Sequence, residues 1–254
     1  MTRRCTASAA VRAERDDAGR IRLTRLRSDG PYALRAAPDA VYLVGAAAGP
    51  LGGDELNLDI EVAAGAALTV RSTASSVLLP GRGESCTRVR ATVAPGAHLD
   101  LALEPAIAAE GCLHRSVALL SLASGATLRW REELVLGRHG ETAGRCTARA
   151  DVTVDGVPLL RHELRLPEPA PHPGGAVLGG ARCAGSVLLA GPGPAGERYA
   201  AEGLAVMPLA GPGVLVTALA PDSATLRRRL LQGEERVRGR RLPHPPRAAA
   251  DRSA

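Results

Sequence analysis

The sequence predicts an all-β fold, built of stacked β-hairpins in a β-helix-like sandwich with about two helices, one of them C-terminal. Three observations carry that expectation. Alternation of period two recurs through "LDIEVAAGAALTV", "VRATVAPGAHLDL", "VALLSLASGATLRW" and "ADVTVDGVPLLRHELRL", the pattern of strands with one buried face. The turn glycines of these segments, Gly65, Gly96, Gly125 and Gly156, fall 31, 29 and 31 residues apart, a period that marks repeated units. No single hairpin is stable alone in water, so the copies must share a core.

Taken in order, "IRLTRLRS" within Val11 to Leu34 supplies the first strands, and the four glycine units follow. A short glycine-containing connection gives the positive φ that a hairpin turn needs. Beyond Leu166 comes a Pro-rich connector, "PEPAPHPGG", and then two apolar strand regions, "AVLGGARCAGSVLLAG" and "GLAVMPLAGPGVLVTALA". The period then changes: Asp222 is placed to cap a helix in which Leu226, Leu230 and Leu231 share a face. Residues 1–231 read as one domain and 232–254 as an Arg/Pro-rich, disordered tail.

The chain has 254 residues, 45% apolar and 23% charged, enough for one sizeable core. Phe is absent and aromatics are 2%, so Leu, Val and Ala must fill that core. All basic residues are Arg. The net charge of +6 is mostly a tail property, because Asp222 to Arg247 holds eight Arg against three acids. With no aromatic residues there to stack bases, nucleic acid is not an expected partner. Five cysteines without C-x-x-C spacing and an N-terminus lacking a signal-peptide core point to reduced thiols in the cytoplasm. No apolar run is long enough to span a bilayer.

Chemistry-bearing motifs are sparse. "GPLGGDEL" lacks the Lys-Ser/Thr of a phosphate loop, and its glycines precede a strand, so Gly52, Gly53 and Asp54 read as a hairpin entrance. The six histidines form no H-x-x-x-H or H-E-x-x-H, and no stable metal site is expected. His139 and His162 are each left as a transient soft-metal contact or as polar surface. Glu132 and Glu133 point to opposite faces of a strand, so one faces inward. That acid either pairs with Arg138 in a structural bridge, which the sequence favours slightly, or lines a polar channel. No nucleophile elbow is present.

These pieces, in this order, resemble the urease accessory proteins of the UreD type, called UreH in some bacteria. "GPLGGDELNLDIEVAAGAALTV" is similar to the family's Gly-Gly-Asp segment, "STASS" to its strand end, "LRWREELVLGR" with Gly137 and Arg138 to its Leu-Gly-Arg strand, and "DVTVDGVPLLRHEL" to its Asp-Gly hairpin. The resemblance covers about Pro31 to Leu231. It implies a non-enzymatic factor that binds the urease apoprotein and, with UreF and the GTPase UreG, assists nickel delivery through a polar tunnel. No cofactor is tightly bound; nickel(II) is in transit. Asp54, Ser75 and Glu132 fall on the family's tunnel positions. The family's later tunnel glutamate aligns with His162, Glu163 being next to it. The family's lysine-aromatic-tyrosine-arginine run is replaced here by "VLLPGRG". A rival class is a solenoid or sandwich enzyme acting on a small polar substrate with Glu132 or Glu133 as base.

Overall fold

The computed structural model describes residues 4–166, 177–194 and 196–237. The chain opens with β1 (Thr6–Arg15) and β2 (Ile21–Arg27), then the antiparallel pair β3 (Tyr32–Ala36) and β4 (Val41–Gly45). The repeat units follow. In the first, β5 (Glu55–Val62) leads through Gly65 to β6 (Ala67–Ser72), with a short β7 (Ser76–Leu78) after it. In the second, β8 (Ser85–Val93) leads through Gly96 to β9 (His98–Ala102), followed by β10 (Ala106–Ala108). In the third, β11 (Leu113–Leu122) leads through Gly125 to β12 (Thr127–Leu136), and β13 (Arg145–Val154) and β14 (Val157–Leu166) flank Gly156. The last elements are β15 (Cys183–Ala190), β16 (Tyr199–Ala201), β17 (Leu204–Pro208), β18 (Gly213–Ala220) and α1 (Ser223–Val237), the one helix among the described residues.

Two sheets result. The seven-stranded sheet runs β14-β13-β11-β8-β5-β1-β2, and the eleven-stranded sheet runs β16-β17-β18-β15-β12-β9-β6-β4-β3 with β7 and β10 attached beside β12. The expected class is therefore present, a solenoid-like sandwich, but the local connection differs from expectation in three of the four units. Of the four glycine units, the one around Gly156 alone, β13 with β14, forms a hairpin. At Gly65, Gly96 and Gly125 the chain crosses from one sheet to the other, so β5, β8 and β11 stack in parallel in the first sheet while β6, β9 and β12 stack in parallel in the second. The two cases share a sequence pattern, since each strand buries alternate residues either way. Where the chain crosses, each turn lies on the next: Gly65 N donates to Pro95 O at 3.2 Å.

Apolar side chains from both sheets meet in a central core that includes Ile60, Leu99, Leu120 and Trp130. Such side chains each contribute roughly 1.5–3 kcal/mol when fully buried. A second cluster packs Val187, Leu189 and Val216 under Leu226, Leu230 and Val237 of α1. The helix starts where expected: Asp222 Oδ1 accepts from Thr225 N at 2.7 Å, and that bond holds its carboxyl below the usual range. It runs to Val237, past the residue 231 at which the sequence reading ended the domain. Gly233 is tolerated inside it because a Cβ there would stand 2.3 Å from Val216 Cγ1; only glycine lets α1 sit this close to β18. The Pro-rich connector with His172, and the tail from residue 238 with His244, lie outside the described residues. Among the described residues no helix is long and apolar enough to cross a membrane.

Candidate functional site

Glu132 and Glu133 are central to β12, and both point inward, Glu132 towards the space between the sheets and Glu133 towards α1. Beside Glu132 lies a cavity of about 510 Å³ to which Ser116, Cys146 and His162 contribute from the seven-stranded sheet and Ser186 and Thr217 from the other. Much of the remaining lining is Ala and Gly, too small to fill an inter-sheet gap to normal interior density. Among the described residues no hydrogen bond or ion pair engages the Glu132 carboxylate. The group sits deep in the molecule yet keeps some accessible surface, because it opens onto the cavity. Burial pushes its pKa up to about 7, so near neutral pH it passes between the neutral and charged forms.

A polar seam adjoins this cavity behind Ser116. His114, 1% exposed, stands with Nδ1 2.8 Å from Ser85 Oγ, and with Nε2 3.1 Å from Thr87 Oγ1 and 3.3 Å from Ser116 Oγ. Ser85 Oγ–H donates to Leu113 O at 3.4 Å. The ring is thus held at both nitrogens by hydroxyls of the stacked strands. Burial lowers the His114 pKa to about 4, so the ring is neutral. Sequence reasoning passed over these residues. The signal was available, because Ser85 with His114 and Thr87 with Ser116 are each 29 residues apart, one repeat length, and so occupy matching ladder positions.

On the other face of β12 the charges are paired. Glu133 Oε1 lies 2.8 Å from Arg131 Nε and 2.9 Å from Arg227 Nη2, and Arg227 also holds Glu104 at 3.1 Å. Arg129 bridges Asp100 and Glu234 at 3.0 and 2.7 Å. These contacts fasten α1 to the sheet. The expected bridge to Arg138 is not made; Arg138 Nε instead pairs with Glu141 at 2.8 Å in an exposed turn. Both acids face inward because sheet and helix cover opposite faces of β12, which alternation alone does not reveal. Two guanidinium groups already occupy the Glu133 carboxylate, a poor setting for a general base.

A profile of the family described as "UreD urease accessory protein" matches residues 6–251. The chain belongs to the UreD family. It is 44% identical to a urease accessory protein UreD of Frankia casuarinae over 89% of this chain and 88% of that relative. It is 45% identical to one of Parafrankia sp. over 88% and 86%, and 44% identical to one of Streptomyces coelicolor over 89% and 94%. The expected membership thus holds, and with it a role in urease maturation.

Within this family member the expected site residues do not gather in one place. Glu132 and His162 share the cavity, but Asp54 and Ser75 are not among its lining residues. Asp54 is 5% exposed and its carboxylate accepts from Cys5 N and Leu51 N, both at 2.9 Å, closing the turn before β5. Its burial reflects backbone hydrogen bonding, which sequence cannot distinguish from a polar passage. Ser75 is exposed between β6 and β7. Glu163 points away from the cavity and pairs with Arg165. Gly52 and Gly53 do permit close approach, as expected: a Cβ on Gly52 would meet the Gly81 backbone at 2.6 Å, and one on Gly53 the Arg82 carbonyl at 2.8 Å. Gly137, with φ +77, brings the chain against Glu141 O and Thr142 O.

No cluster of three or more His, Cys, Asp or Glu suited to a metal occurs among the described residues. The five cysteines are free. Burial raises the thiols of Cys112 and Cys183 to about 11 and that of Cys146 higher still, so they remain protonated and weak as ligands.

Proposed function

We propose that this UreD-family chain is a urease nickel-insertion chaperone of the cytoplasm. It binds the urease apoprotein and, with UreF and the GTPase UreG, assists nickel(II) on its way to the urease active site, carrying out no reaction of its own. The inter-sheet cavity is the passage. One observation supports this most: the Glu132 carboxylate, without a partner among the described residues, opens onto a space large enough for a partly hydrated ion. A closed Cys/His cage would trap nickel, whereas isolated oxygen and imidazole groups hold it weakly enough to let go.

Co-expression of the chain with its own operon tests the partner assignment. The chain should co-purify with urease subunits and UreF. Recovery of neither partner would remove the reading.

A further inference from the structure

We propose that the inter-sheet cavity is a binding site for a small primary alkylammonium ion, its charged end on the Glu132 carboxylate and its aliphatic body against the apolar walls. The inference does not depend on the conduit reading.

Strand register sets three polar side chains in one row along the eleven-stranded sheet: Glu132 of β12 lies opposite Ser186 of β15, and Ser186 opposite Thr217 of β18, all three lining the cavity. Residues paired in this way share a face. Among the described residues no hydrogen bond or ion pair engages any of the three side chains. Adjacent polar groups inside a protein ordinarily have partners, so a row without them points to a ligand that supplies them.

On either side of the row the wall is apolar. Leu215 and Met207 flank it in one direction, and Leu134 and Leu219 in the other. The volume of about 510 Å³ and the mixture of apolar walls with a few convergent polar groups are those of a small-molecule site. Met207 and Val177, lining residues exposed to solvent, mark the entrance.

The charge of the ligand follows from what the walls lack. No arginine is among the lining residues, so Glu132 has no cation against it, and a carboxylate drawn away from water is costly without one. An ammonium group pairs with this acid and has a further N–H donor for the neighbouring Ser186 hydroxyl. A hydrocarbon body then sets no polar atom against the leucines.

The test is calorimetric titration of the full chain with hexylammonium chloride and, separately, with hexanol, at pH 8, above the pKa of Glu132. Hexylammonium should bind the wild type, and Glu132→Gln, which keeps the shape of the side chain without its charge, should weaken that binding about tenfold or more. Hexanol should not distinguish the two proteins. Equal affinity of both proteins for hexylammonium would overturn the proposal, as would no binding of it to the wild type. Binding that survived Ala148→Phe, which fills the cavity, would place the site elsewhere and overturn it as well.

Discussion

Arg129 on β12 and Glu234 on α1, 105 positions apart in the chain, meet in a two-pronged ion pair, with Nε to Oε2 at 2.8 Å and Nη2 to Oε1 at 2.7 Å. Glu234 is 1% exposed. Removing the guanidinium strands a buried charge, so Arg129→Ala should cost about 3–5 kcal/mol, whereas Arg129→Met with Glu234→Leu should cost far less. Urea unfolding of both variants checks the contrast; equal losses would mean that the pair is not what holds α1 down.

Two glycines should respond very differently. Gly52→Ala drives a Cβ into the Gly81 backbone, which has no side chain to yield, and should cost about 3 kcal/mol or more. Gly65→Ala meets nothing within 4 Å and carries only the penalty of φ +65, about 1–2 kcal/mol. Melting temperatures that failed to separate the two would contradict the close packing at Gly52.

Asp54→Ala should lower the melting temperature, since the Cys5 and Leu51 amides lose their acceptor at a cost of about 1–3 kcal/mol each. The loss should track folded protein. A variant of unchanged stability would refute the structural role.

Glu132 makes stability pH-dependent. Its folded pKa near 7 lies above the ordinary carboxylate value of 4.5, so the wild type is most stable below about pH 4.5 as far as this group is concerned, and loses that contribution as pH rises to 7. Glu132→Gln should therefore match the wild type at pH 4 and gain on it progressively, by up to roughly 3 kcal/mol at pH 8. A constant difference from pH 4 to 8 would show that Glu132 is not desolvated.

Much of the architecture could be read from the sequence because it is periodic. The alternation in β5 and the spacing of Gly65, Gly96 and Gly125 declare strands and repeats. They do not declare whether a turn stays within a sheet or crosses between sheets, since Leu58 and Leu68 are buried alike in both. Pairs one repeat apart, such as Asp100 with Arg129 and Ser85 with His114, were legible in principle once the units are parallel. Arg129 with Glu234 was not, because the docking of α1 depends on tertiary packing. Asp54 and Glu132 look alike in sequence as inward acids; only the structure shows that backbone amides satisfy the first and that no group among the described residues satisfies the second.

The most direct measurement is the nickel content of urease matured with an Ala148→Phe variant, which places a ring in the cavity from the inner face of β13. With the variant still co-purifying with its partners, nickel in urease should fall to near background. Full nickel loading past a filled cavity would show that the ion does not travel between the sheets.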